Sequence, residues 1–451
     1  MAQSIIRVAG SGLTIPPPLS LYIHIPWCVK KCPYCDFNSH AFLPSPSGGG
    51  AGGEGHDPVV RTRGRGAGGE GNDVPESLYI NALLRDLELA LPDIWGRKIH
   101  SIFFGGGTPS LFSADGIDRI LTGVRTLTPL LPNAEITLEA NPGTVEAARF
   151  AGFRAAGVNR VSLGIQSFNP RHLKALGRIH NDTEARRAAE LAATYFDTFN
   201  LDLMFALPGQ TLAEALADID TALSFQPPHL SAYHLTLEPN TPFGHTAPPN
   251  LPDDDLAADM QLAIEARLTE AGMQHYETSA YARPNHACRH NLNYWQFGDY
   301  LGIGAGAHSK LSFHDRIVRK MRIKHPQQYM HSLLASSSGI TSDLAGVFCS
   351  PSRMANSSIR EVGGEGKHIA DQRVLTRHEL PFEFMMNALR LNEGVDAALF
   401  EQRTGLPLSV CSSALEHARV QGLLERDTSR LKPSLQGQCF LNNLLEIFLP
   451  D

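Results

Sequence analysis

The chain has 451 residues, and 39 Lys and Arg set against 46 Asp and Glu leave a formal charge of −7. An apolar share of 42% is ample for a large core and excludes wholesale disorder, while the acidic balance argues against a dedicated nucleic-acid binder. No run of about 18 apolar residues is present, so no membrane span is expected, and Met1 to Leu19 lacks the apolar stretch of a leader, carrying only Arg7. Seven cysteines in a chain this long do not suggest a disulfide framework, so the expected setting is the cytoplasm.

In chain order, Leu19 to Pro26 is predicted as a strand. Residues 45–75 follow as a Gly-rich insertion in which Gly50-Ala-Gly-Gly-Glu-Gly55 recurs as Gly66-Ala-Gly-Gly-Glu-Gly71. Such a density of glycine is costly to order without an apolar face. A phosphate-binding loop would need a strand before it and a helix opening on Lys-Ser/Thr after it, and neither is there. Ser77 to Leu91 then places Ile80, Leu83, Leu84, Leu87 and Leu91 on one helical face. Strands are predicted at His100–Phe104, Glu135–Ala140, Arg160–Gln166, Asn200–Ala206 and His229–Leu237, with a helix at Ala114–Leu127 and helical sequence in the other gaps. This βαβα order predicts a parallel sheet forming a barrel or incomplete barrel over residues 19–275. Residues 276–348 extend it, and 349–373 read as a second insertion.

The remainder, 380–451, has a different pattern. Phe382–Leu391, Asp396–Arg403 and Leu408–Gln421 are predicted helices, and Leu423 to Lys432 reads as an apolar pair, a polar turn and a return strand. This is the α+β outline of a winged helix. Its six basic and nine acidic residues from Phe382 onward are the wrong balance for reading DNA, so packing or partner contact is expected of it.

Three cysteines fall within eight residues directly after the first strand, in Tyr22-Ile-His-Ile-Pro-Trp-Cys28-Val-Lys-Lys-Cys32-Pro-Tyr-Cys35. Thiolates are soft ligands for iron–sulfur clusters or zinc. Three around a four-iron cube leave one iron free for another ligand. A zinc site completed by His24 or His40, or three reduced thiols, are the other readings. Cys288, Cys349, Cys411 and Cys439 form no pair at ligand spacing.

CxxxCxxC after a first strand resembles the signature of radical S-adenosylmethionine (SAM) proteins, and further motifs recur in order: Gly105-Gly-Gly-Thr-Pro109, Glu139-Ala-Asn-Pro142, Gly164-Ile-Gln-Ser-Phe168, Leu176-Gly-Arg-Ile-His180 and Asn200-Leu-Asp-Leu-Met204. The set is similar to the branch holding the anaerobic coproporphyrinogen III oxidases and the HemW-type heme chaperones. The resemblance covers residues 19–451 less the two insertions. It implies a partial (β/α)6 TIM-like barrel with a C-terminal winged-helix-like domain. It also implies a [4Fe-4S] cluster on Cys28, Cys32 and Cys35 and SAM bound by Tyr22, Tyr34, Gly106, Gly107, Thr108, Glu139, Gln166, Arg178 and Asp202. All these motifs lie at or near C-terminal ends of predicted strands, where barrel sites assemble. Taken singly, each residue is as readily a salt bridge, a helix cap or core filling.

Two features separate the branches. The oxidase pattern carries a fourth cysteine two residues after the third, and this sequence has Phe37 there. His290-Asn-Leu-Asn-Tyr-Trp295 resembles the HNxxYW element associated with heme in the chaperones; imidazole is a good iron ligand, and Tyr294 and Trp295 are suited to cover a porphyrin face. An aromatic helix start with a capping Asn is the plainer reading of the same residues. The resemblance thus implies heme, held through His290, Asn291, Tyr294 and Trp295, and heme-accepting proteins as partners. No nucleic acid is implied, membrane contact comes only through acceptors, and a homodimer stays open. An electron donor is needed only if SAM is cleaved. Oxygen-independent coproporphyrinogen III oxidase is the alternative function. Gly302-x-Gly304-x-x-Ala307 imitates a dinucleotide fingerprint but lacks a clear following helix and acidic partner.

Overall fold

The computed structural model describes residues 13, 15–41, 74–335 and 366–450. The Gly-rich insertion therefore lies outside the described residues, apart from Val74 and Pro75.

Six parallel strands run in sequence order through the middle of one sheet: β1 (Leu19–Ile25), β2 (Ile99–Gly106), β3 (Leu130–Ala140), β4 (Arg160–Gln166), β5 (Thr198–Phe205) and β6 (His229–His234). Each is followed by a helix: α1 (Glu76–Ile94), α2 (Ala114–Leu127), α3 (Ala147–Ala156), α4 (Asp182–Tyr195), α5 (Leu212–Ser224) and α6 (Asp254–Glu270). Four of these helices start where short polar side chains take the free N–H groups. Ser113 and Asp253 cap α2 and α6, and Asn181 and Thr211 form capping boxes with Glu184 and Glu214. Their apolar faces bury Ile80, Leu83 and Leu87 of α1 and Ile117, Ile120 and Val124 of α2 against β-strand residues such as Leu21, Ile102 and Leu138.

The sheet continues beyond these six. β7 (Gln274–Glu277) and β8 (Ala280–Ala282) fold back antiparallel beside β6. On the other side β9 (Asp299–Ile303) joins β1 as a seventh parallel strand, followed by antiparallel β10 (His308–Ser312), β11 (Ile317–Arg322) and β12 (Ile369–Val374). Among the described residues the twelve strands form one open sheet with β7 and β12 at its edges, and β7 is bridged there to the C-terminal part through Glu277 and Leu391. The expected partial barrel is thus present and wider than its six repeats. β12 corrects the predicted insertion at 349–373, whose last residues are ladder-paired to β11; 349–365 lie outside the described residues. Here a strand of six polar and apolar residues carried no local signal until β11 offered it an edge.

A short helix, α7 (Arg289–Trp295), joins the barrel to the C-terminal part. Its Leu292 and Trp295 pack on a second apolar cluster that includes Phe297, Phe384, Phe400 and Leu431. That cluster is built by α8 (Leu380–Ala388), α9 (Ala398–Thr404) and α10 (Ser412–Val420). A two-stranded ladder pairs Val395–Asp396 with Arg430–Leu431, and α11 (Leu435–Cys439) and α12 (Leu441–Glu446) complete the domain. The predicted turn is there: Glu425 N donates to Lys432 O at 3.0 Å and Ser434 N to Leu423 O at 3.0 Å. The last two helices were not anticipated.

Candidate functional site

A cavity of about 320 Å³ opens at the C-terminal ends of the parallel strands. Cys28, Cys32 and Cys35 all line it and are half-buried. The loop carrying them is tied down from both sides. Gly107 N and Thr108 N donate to Ile25 O and Trp27 O, each at 2.7 Å, and Cys35 N donates to Cys32 O at 3.2 Å. Polar groups address the sulfurs: Thr108 Oγ1 lies 3.6 Å from Cys28 Sγ, and Arg178 Nη1 lies 3.5 Å from Cys32 Sγ. Burial raises the thiol pKa of Cys28 and of Cys35, so ionisation is favoured only once something positive binds there. Among the described residues, no three His, Cys, Asp or Glu side chains are drawn together tightly enough to hold a single metal ion.

His24, an alternative fourth ligand, is fully engaged. Its Nε2 bonds Asn38 O at 2.8 Å, its Nδ1 bonds Tyr22 Oη at 3.1 Å, and burial holds its pKa down at about 4. His40 faces His325 instead, with ring centroids 5.5 Å apart.

The glycine turn after β2 forms one wall. A Cβ on Gly106 would stand 2.5 Å from the His24 ring, and one on Gly107 2.5 Å from Trp27 O. Gly106 also has φ 112°, which disfavours any side chain. Its N–H donates to Glu139 Oε2 at 3.3 Å. Glu139 is pushed up to about 8, first by burial and then by the nearby Asp202. Asp202 accepts from Ser162 Oγ at 2.9 Å and from Asn200 Nδ2 at 2.8 Å, yet burial still raises it. Arg178 is anchored through Gly164 O at 2.7 Å. Gln166 ends β4 at φ 68°, a strained conformation for a side-chain-bearing residue, of the kind that clusters at functional sites.

Thus Tyr34, Gly106, Gly107, Thr108, Glu139, Gln166, Arg178, Asp202 and the three cysteines are brought to one cavity. Tyr22 is not: its ring packs beside Phe103, which does line the cavity, at 6.3 Å between centroids.

The HNxxYW residues divide. Asn291 lines the cavity. His290 is buried, its Nδ1 3.1 Å from Ser101 Oγ and its ring 5.0 Å from Phe103, and burial lowers its pKa to about 3. Tyr294 stacks on Tyr300 at 4.1 Å, and Trp295 packs under Arg390 at 4.5 Å. In this arrangement Tyr294 and Trp295 cover no ligand face; they fasten α7 to its neighbours, because large aromatics beside an apolar cluster gain more by burial.

Sequence reasoning missed a lower polar layer of the lumen: Arg160, Ser162, Asn200, His229 and Ser231. His229 Nδ1 bonds Asn200 Oδ1 at 2.7 Å, and its Nε2 bonds Tyr276 Oη at 2.9 Å. The signal was available. Arg160, Ser162, Gly164 and Gln166, like Asn200, Asp202 and Met204, alternate with buried apolar residues at the strand period of two.

The pattern of the radical SAM superfamily matches residues 22–222, and that of the HemN C-terminal domain matches residues 375–440. The heme chaperone HemW of Escherichia coli (strain K12) is 45% identical over 437 residues, spanning 96% of this chain and 99% of the relative. The chain belongs to the HemW family. A second family member, the heme chaperone HemW of Haemophilus influenzae, is 44% identical over 441 residues, again spanning 96% and 99% of the two chains. Among solved structures, the coproporphyrinogen III oxidase HemN of Escherichia coli, described as a radical SAM enzyme, superposes with a TM-score of 0.71 over 96% of this chain and 90% of its own. At 21% identity that likeness concerns the fold. Among the described residues no helix is long and apolar enough to cross a membrane.

Proposed function

We propose that this protein is a cytoplasmic heme chaperone that binds heme and hands it to heme-accepting proteins, and that it keeps a radical-SAM site. The observation that carries the reading is Phe37, 59% exposed at the cavity wall where the oxidases carry a further cysteine, in a chain 45% identical to a heme chaperone.

Cys28, Cys32 and Cys35 are the ligands of a [4Fe-4S] cluster in this reading. Their spacing suits it, because each thiolate takes its own iron rather than sharing one ion. When bound, the cluster would supply one-electron chemistry to SAM, with an electron donor needed only if SAM is cleaved. The chain's own residues do the rest. Gly106 and Gly107 let the turn's own backbone approach the ligand closely, Glu139 offers a carboxylate to an ammonium group, and Thr108 and Arg178 steady the sulfurs. Asp202, held by Ser162 and Asn200, presents an acceptor for ribose hydroxyls, while Gln166 and the Tyr34 ring close the wall; Tyr22 steadies His24 beneath it. Heme is assigned to the side of the cavity bordered by α7. His290, Asn291, Tyr294 and Trp295 are its candidate residues; Asn291 alone faces the cavity, so His290 reaches iron only when α7 shifts.

The deciding assay supplies coproporphyrinogen III, SAM and a reductant to anaerobically reconstituted protein. No protoporphyrinogen is expected. Its formation would make the oxidase reading correct.

A further inference from the structure

Arg160 is the lumen group to which the reading above gives no task. It is 2% exposed, yet it lines the cavity. Its Nε is buried without a hydrogen-bond partner, and among the described residues its guanidinium makes no ion pair or hydrogen bond. A buried cation left unpaired is strongly unfavourable, so proteins keep one where a ligand anion completes it.

The nearest carboxylates are committed elsewhere. Glu135 caps α7: its Oε1 accepts from His290 N at 3.1 Å and from Cys288 Sγ at 3.4 Å, and its Oε2 accepts from Arg289 N at 3.1 Å. Asp202 accepts from Ser162 and Asn200 and makes no ion pair with Arg160 among the described residues. Both carboxylates are near enough to keep the guanidinium charged without touching it. Asn291 faces the same cavity, and its carboxamide makes no hydrogen bond among the described residues. A free guanidinium fork and a free amide lining one cavity are a donor set suited to a carboxylate.

We propose that Arg160, with Asn291, is a carboxylate-binding subsite in the floor of the lumen. Two ligands of this site carry carboxylates, SAM and heme. Arg160 opens β4 and Gln166 ends it, roughly 20 Å apart along the strand. The glycine turn and the cysteines occupy the Gln166 end, where the methionine carboxylate of SAM belongs. The deep position therefore favours a porphyrin propionate. That assignment rests on the heme-binding reading; the carboxylate site itself does not. It also gives α7 a purpose, since the helix whose start Glu135 caps carries Asn291 to the lumen.

The test titrates heme, heme dimethyl ester and SAM into reconstituted wild type, R160Q and R160K, with cluster absorbance and thermal unfolding as controls. Wild type is expected to bind heme at least about tenfold more tightly than the diester. R160Q loses that preference, R160K keeps part of it, and SAM affinity and cluster absorbance stay unchanged. If R160Q weakens SAM about tenfold and leaves heme alone, the carboxylate is that of SAM and the subsite stands. If wild type binds no heme but R160Q still weakens SAM, the chaperone reading fails and the subsite survives. Equal affinities of wild type and R160Q (or of R160K where R160Q does not fold) for all three ligands overturn it, as does a wild type that does not distinguish heme from its diester while R160Q, or R160K in its place, binds SAM normally.

Discussion

Glu139 holds its proton at neutral pH in the ligand-free protein, because burial and then Asp202 push it to about 8. A cationic ligand favours the ionised form. SAM binding should therefore release a proton below pH 8 and tighten between about pH 6 and 8, by up to about tenfold per unit. Calorimetry in two buffers of different ionisation enthalpy reads that proton; pH-independent affinity with no release would contradict the assignment. The sign for folding is the reverse. The folded carboxyl keeps a proton that the unfolded chain gives up above about 4.5, so this group's contribution to stability declines as the pH rises through about 8. At the same scale, Cys28→Ala, Cys32→Ala or Cys35→Ala should each abolish an iron and sulfide content of about four each per chain, whereas Cys411→Ala, in the C-terminal cluster, should leave it intact. Stoichiometric zinc without sulfide would contradict this. The cysteines were legible in the sequence because packing alone seldom crowds three soft ligands into one short loop. Arg160 was not, because a lone arginine at a strand start looks like any surface charge until the sheet curls around it.

Elements are held in place by buried charge as well as by apolar faces. Asp86 on α1 meets Arg322 of β11 at 2.9 Å, accepts from Tyr329 Oη at 2.8 Å and lies 3.2 Å from His368. These contacts tie the first helix to the far side of the sheet. Burial alone would raise Asp86, but Arg322 and His368 hold it at about 2. Its contribution is therefore present above about pH 4 and is lost as the pH falls through about 2. Asp86→Asn leaves Arg322 buried without a counter-charge and should cost about 3–5 kcal/mol in denaturant unfolding at pH 7. A loss under about 1 kcal/mol would show that the pair is dispensable. The helix α2 and the strand β4 were readable because period and length agree locally. β9 was not: its partner β1 lies some 280 residues earlier, and only tertiary pairing tells a Gly-containing apolar segment that it is a strand. α7 was read by its motif, but its burial was invisible, since nothing in HNxxYW says which face meets the second core.

For the whole molecule, the barrel, the α7 joint and the C-terminal cluster form the frame of the described residues. Deleting residues 47–72 should shift the melting temperature by no more than about 1–2 °C and leave cluster content unchanged, because that segment offers little apolar area to bury. A large loss of soluble protein would show that it packs. The frame also gathers its chemistry into one cavity, with the three cysteines at the C-terminal end of the strands and Arg160 at the start of β4. The measurement that bears most directly on this account is a titration of heme into the anaerobically reconstituted protein, read by the Soret band and followed by addition of an apo heme-accepting protein. Saturable binding near one heme per chain, followed by movement of the band to the acceptor, is the expected result. A spectrum that grows linearly without saturation, or heme that never leaves, would contradict it.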